Sequence, residues 1–179
     1  MITAMAMTRE AERGTLENLL AMPAQPFEVM IGKITPYVAV GAVQTAVVLI
    51  AAKYIFGTPF AGALWLLVLG VMIFVFANLA VGFTFSTIAQ SQMQAMQLTF
   101  FFFLPSLLLS GFMFPFRGMP DWAQTIGEAL PLTHFLRIVR GVMLKGAGFS
   151  DLSAAFLALV AIAAVACFAA MMRYRRTLD

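Results

Sequence analysis

Few residues of this chain can do chemistry, and they are scattered. His134 is the single histidine and Cys167 the single cysteine. A hydrolytic triad or a histidine-based metal centre needs several such groups together, so neither can be assembled from these residues. Cys167 lies in an Ala-rich apolar run and reads as a small packing residue rather than half of a disulfide. His134 with Arg137 and Arg140 has the make-up of a proton or anion site, although contact with lipid headgroups is the more ordinary role. Glu28, Asp121, Glu128 and Asp151 fall near the ends of apolar stretches or between them. That placement disfavours intramembrane acid catalysis and a proton-coupled pump. Gly32-Lys33-Ile34-Thr35 resembles a phosphate loop only superficially, because Phe27 stands where the upstream glycine is required and Ile34 follows the lysine. With no nucleophile–base pair, a membrane enzyme is disfavoured too.

The most specific polar segment is Glu10 to Pro23. Thr15 can cap a short helix after the break at Gly14, and Glu17 lies favourably in its first turn. Leu16, Leu19 and Leu20 then form one apolar stripe, and Pro23 and Pro26 end the segment. Spacing alone favours an ordinary helix lying along the membrane surface. Inside the apolar stretches the polar residues are Gln44, Thr45, Asn78, Thr84, Ser86 and Thr87. For Ser and Thr, hydrogen bonding within or between helices is the expected role. Asn78 is the best candidate for lining a pathway, because an amide is harder to satisfy alone. Phe100–Phe103, Met93 and Met96 could line an apolar route, but packing or lipid contact is commoner for such residues.

These groups must be positioned by elements that lie in lipid. From Tyr54 to Phe116 there are 63 residues without an Asp, Glu, Lys, Arg or His. As one helix that run would be roughly 95 Å long, about three times the hydrocarbon thickness of a bilayer. It must therefore fold back on itself. The chain is 62% hydrophobic and 11% charged with a mean hydropathy of +0.94, more apolar surface than a globule of 179 residues could bury. The net charge of +3 comes from dispersed bases with no aromatic–basic stripe, so nucleic acid is not an expected partner. No basic region precedes an apolar run at the N-terminus, and no cleavable signal peptide is expected.

The expected class is all-α: a polytopic helical membrane protein with four full spans, the end of a fifth, and short interfacial helices. Residues 1–8 read as the end of a span and residues 9–33 as a polar connecting segment. The full spans are expected over 34–56, 60–89, 98–116 and 151–172, with Pro36 in the first turn of the first and Pro105 kinking the third. A belt of Gln90, Ser91, Gln92, Gln94 and Gln97 separates the second and third at a surface, and Gly111 and Pro115 mark the end of the third. Between 117 and 150 two short helices fit, Pro120–Leu130 and Thr133–Leu144. The second has Phe135, Leu136, Val139, Val142 and Met143 opposite Arg137, Arg140 and Lys145. Such helices lie in the interface or dip partly into the bilayer. Ser150 is expected to cap the last span, and residues 173–179 form a tail. Four crossings put 9–33 and the tail on one side, which the arginines at 173, 175 and 176 mark as cytoplasmic. The bias is small: six bases inside against five outside.

Four phrases then carry a resemblance: Glu12-Arg-Gly-Thr-Leu-Glu-Asn-Leu-Leu-Ala-Met-Pro23, Asn78-Leu-Ala-Val-Gly-Phe-Thr-Phe-Ser-Thr87, Leu109-Ser-Gly-Phe-Met-Phe-Pro115 and Pro131-Leu-Thr-His-Phe-Leu-Arg137. Together, over essentially the whole chain, they resemble the ABC-2 type transporter permeases of the multidrug-efflux branch. Members normally have six spans with a large extracytoplasmic domain after the first, so this chain resembles the C-terminal half. The resemblance implies a subunit of a bacterial inner-membrane exporter working by alternating access, with drugs or other amphipathic compounds as cargo. It implies no cofactor in this chain, ATP being bound by a partner subunit, and a second permease in a homo- or heterodimer surrounded by lipid. Residues 9–33 become the coupling segment: Glu10, Glu12, Arg13 and Glu17 for polar contacts with the ATPase, Leu16, Leu19 and Leu20 for its packed face, around Gly14 and Thr15. A non-transporting membrane scaffold or accessory subunit is the alternative.

Overall fold

A computed structural model describes residues 26–55, 57–58 and 61–176. Among the described residues six α-helices follow one another: α1 Pro26–Tyr54, α2 Leu64–Ile88, α3 Gln92–Leu109, α4 Asp121–Glu128, α5 Pro131–Lys145 and α6 Phe149–Arg176. A single 3₁₀ turn, Phe116–Gly118, precedes α4. The described residues contain no strand. Four stretches of the described residues are long and apolar enough to cross a membrane: Thr35–Tyr54, Leu64–Ile88, Gln92–Leu109 and Phe149–Met172. The chain is an all-α, multi-pass membrane protein. Below, the near face is the side on which α2 begins, and the far face is the side on which it ends.

Several helix ends differ from expectation for identifiable local reasons. α1 begins at Pro26, so Pro36 lies ten residues inside it rather than in its first turn. α3 begins at Gln92, six residues before the expected start. Ser91 accepts a hydrogen bond from the Gln94 N–H (3.2 Å), while the Gln94 side chain accepts one from the Gln90 N–H (2.7 Å). This reciprocal cap winds most of the glutamine belt into the first two turns of the helix and leaves only 89–91 as the connection. α3 stops at Leu109 rather than 116, because Gly111 takes φ of +85°, which other residues avoid. Pro105 sits inside α3. α6 starts at Phe149, and Asp151, not Ser150, serves its N-terminus by accepting from the Gly148 N–H at 3.2 Å.

The core is a three-helix seam. α2 and α6 run parallel and share the most extensive interface, and α5 lies antiparallel against both. Leu66 and Leu67 of α2, Ile138 and Val142 of α5, and Leu152, Phe156 and Leu159 of α6 form one buried cluster. Farther along, Phe83 of α2 meets Ala170 of α6, with Cys167 packed beside them. Small residues let the backbones approach, as in other membrane helix pairs. A Cβ on Gly70 would stand 2.8 Å from Ile138, and one on Gly141 would stand 2.6 Å from Leu152. Thr84 adds a bond between helices, from its hydroxyl to the Ala166 carbonyl at 3.1 Å. By contrast α1 touches the body along one line, where Gly41 meets Val75, and otherwise exposes Val40, Val43, Val47, Val48 and Ile50. In lipid those side chains need no protein partner.

The order of contacts along α2 and α5 sets the depth of α5. The Ala61 N–H donates to the Met143 carbonyl, a Cβ on Gly70 would meet Ile138, and Phe74 stacks on Phe135 with ring centres 4.2 Å apart. Pro131 and Val81 line the same cavity. From Leu64 to Val81 the α2 axis rises about 25 Å, most of a ~30 Å hydrocarbon core. The α4–α5 pair is thus a re-entrant hairpin that enters and leaves by the near face. Ile138, absent from the expected apolar face of α5, is fully buried in the seam.

Candidate functional site

Two arrangements concentrate polar groups within the apolar body. The first is the hairpin tip. A chain reversal inside a bilayer leaves carbonyls and N–H groups with no water to satisfy them. Here Pro131 has no N–H to satisfy, and the Leu130 and Thr133 N–H groups bond to the carbonyls of Gly127 and Leu130. Thr133 Oγ1 donates to the Gly127 carbonyl at 2.5 Å, and His134 Nε2 donates to the Glu128 carbonyl at 2.8 Å. The Pro131-Leu-Thr-His134 phrase therefore seals the end of α4. His134 is only 5% exposed in that role, which overturns its expected contact with headgroups. Among the described residues its Nδ1 has no hydrogen-bond partner.

Charges one turn away tie the hairpin to the loop after α3. Arg137 grips the Glu128 carboxylate through both guanidinium nitrogens, one bond measuring 3.0 Å. It also lies over the Phe116 ring, 5.1 Å from its centre. Arg140 donates to the Gly111 carbonyl at 2.8 Å. Arg137 and Arg140 thus have protein partners rather than forming an open anion site.

The second arrangement is a cavity of about 650 Å³ between α2, α3 and α5. Six phenylalanines line it: Phe74 and Phe85 from α2, Phe102 and Phe103 from α3, Phe112 from the following loop and Phe135 from α5. Asn78, Thr99 and Ser106 supply its side-chain polar atoms, and no ionisable residue lines it. Asn78 stands on the second expected span, about 21 Å along α2. Its Nδ2 donates to the Phe74 carbonyl at 2.8 Å. Of the apolar run Phe100–Phe103, only Phe102 and Phe103 reach the cavity, while Met93, Met96, Phe100 and Phe101 are exposed. Thr45, Thr84 and Thr87 bond to carbonyls within helices, as expected for hydroxyls in lipid. The coupling candidates Glu10, Glu12, Arg13, Gly14, Thr15, Leu16, Glu17, Leu19 and Leu20 lie outside the described residues.

The cavity walls have no signature in any one segment of sequence, because each helix contributes only every third or fourth residue. The hairpin tip leaves a partial signal: Pro131 followed by Thr133 and His134 at the start of an amphipathic helix.

Comparison with known proteins bears on the whole assembly. Residues 1–144 match the family described as ABC-2 type transporter, an ABC-2 membrane domain. The chain belongs to that family. Inner membrane transport permease YhhJ of Escherichia coli K12 is 36% identical over 99% of this chain and 48% of its own length. Probable multidrug ABC transporter permease YbhR of the same organism is 32% identical over 98% of this chain and 48% of its own. A more distant relative, ABC transporter G family member 20 of Dictyostelium discoideum, is 28% identical over 89% of this chain and 22% of its own. The chain thus spans about half the length of the bacterial permeases it matches. No solved structure matches it. For an ABC-2 membrane domain the re-entrant hairpin and the uncharged cavity are the features that side chains in this half build.

Proposed function

We propose that this chain forms part of the permease of an ATP-binding-cassette exporter in the bacterial inner membrane. Transport is driven by a separate ATP-binding subunit, and this chain supplies spans and a coupling segment rather than catalysis. One observation carries the reading: the match to ABC-2 permeases runs along almost the entire chain, including the polar 9–33 segment. An elbow of acids and leucines on the cytoplasmic side gives a nucleotide-driven motor something to grip. Closure of two motor subunits then pushes paired permeases between inward- and outward-open states. The cargo is a drug or another amphipathic compound, and Asn78 lies on its route. In this orientation the near face is extracytoplasmic, and the α4–α5 hairpin enters the membrane from that side.

The experiment is a reconstituted permease–ATPase complex carrying Glu12→Ala together with Glu17→Ala. The double substitution weakens the dependence of ATP hydrolysis on cargo while leaving membrane insertion intact. Coupling equal to that of the unsubstituted complex overturns the assignment of this segment.

A further inference from the structure

The polar atoms of the α2–α3–α5 cavity share an unusual bias. Thr99 Oγ1 donates its proton to the Ala95 carbonyl at 2.8 Å, and Ser106 Oγ donates to the Phe102 carbonyl at 2.7 Å. Each hydroxyl has one proton, so toward the cavity both can only accept. Asn78 spends one amide proton on the Phe74 carbonyl, which fixes its orientation and leaves Oδ1 as an acceptor. Among its side chains the wall therefore offers acceptors from two helices and at most one spare donor, the second proton of Asn78 Nδ2. No lining residue can balance a charge. An ion entering this site would lose its hydration without a partner, at a cost no aromatic wall offsets. The volume of about 650 Å³ falls within the range of small-molecule sites, and six phenyl rings favour a flat apolar body. Phe85 and Phe102 also line a second cavity of about 430 Å³, bounded by α6, which extends the same apolar region.

We infer that this cavity binds uncharged aromatic or polycyclic molecules that carry a hydrogen-bond donor, the donor being received by Asn78 Oδ1. The inference rests on the exporter reading only in treating such a molecule as cargo. Occupancy itself is a property of the cavity and is tested without ATP or transport.

The probe is N-phenyl-1-naphthylamine, an uncharged aromatic amine with one N–H whose fluorescence rises in apolar surroundings. Two relatives isolate the chemistry: its N-methyl derivative, which has no donor, and 8-anilino-1-naphthalenesulfonate, which adds an anion to the same rings. The full-length permease in lipid nanodiscs is titrated with each, and emission from empty nanodiscs is subtracted. The amine gives a saturable signal, and the sulfonate gives none that saturates. Asn78→Leu weakens the amine roughly three- to tenfold, the value of one hydrogen bond, and leaves the N-methyl derivative unchanged. Leu107→Trp, on the cavity wall of a variant whose native indoles are removed by Trp65→Phe and Trp122→Phe, transfers excitation energy to the bound amine and places it beside this wall even if Asn78→Leu proves unstable. The inference is overturned by an amine signal no larger than that of empty nanodiscs, as it would be if other spans filled the cavity. Equal weakening of amine and N-methyl derivative by Asn78→Leu overturns it as well, as does the absence of energy transfer from the indole introduced by Leu107→Trp. None of these results bears on whether the 9–33 segment couples to an ATPase, so the two readings fail separately.

Discussion

The two sides of α2 are built differently. Toward α5 and α6 its face carries Leu66, Leu67, Gly70, Ala77, Ala80 and Phe83, and Ile138 of α5 comes so close that a Cβ on Gly70 would stand 2.8 Å from it. Toward α3 the same helix presents Phe74, Asn78, Val81 and Phe85, and a cavity remains. Small residues permit close approach, whereas rings of fixed shape on facing helices hold backbones apart. The first side makes a frame that resists deformation. The second keeps volume in reserve, which the ligand binding inferred above would use.

Substitutions should expose this asymmetry. Leu66→Ala removes a side chain 2% exposed in the seam and is expected to lower unfolding stability by about 2 kcal/mol or more. Leu107→Ala trims a wall that already faces open volume and should cost well under about 1 kcal/mol, since little packing is lost. Thermal unfolding of the two variants in the same detergent compares them, and equal losses would erase the distinction between frame and reserve. Thr133→Val keeps the shape at the hairpin tip but removes one of the two donors to the Gly127 carbonyl, the Leu130 N–H remaining, at an expected cost of about 1 kcal/mol. A shift no larger than that of an exposed substitution such as Thr125→Val would mean that water reaches the tip.

Sequence made the number and apolarity of the spans plain, since 63 residues without charge admit only membrane crossings. It also singled out Asn78 and the Pro131–Arg137 phrase. What it concealed came from tertiary context. The amphipathic pattern of α5 is the same whether the helix floats on headgroups or is clasped by α2 and α6, and the contacts of Ile138 and Phe135 decide between them. The glutamine belt read as a surface loop because composition outweighed one cap, Ser91 with Gln94. His134 read as a surface group because a carbonyl six residues earlier in sequence, that of Glu128, has no sequence signature of its need for a donor.

The depth of the α4–α5 tip is the most direct measure of the whole arrangement. A nitroxide attached at Ala129, introduced by Ala129→Cys in a Cys167→Ala background, reports it through relative collision rates with oxygen and with a water-soluble nickel complex. A label at Met119, outside the hairpin and introduced by Met119→Cys, supplies the reference. Collision with oxygen at Ala129, together with exclusion of nickel, is the predicted pattern of a site well inside the hydrocarbon. Nickel access at Ala129 equal to that at Met119 would contradict the re-entrant hairpin and the cavity it closes.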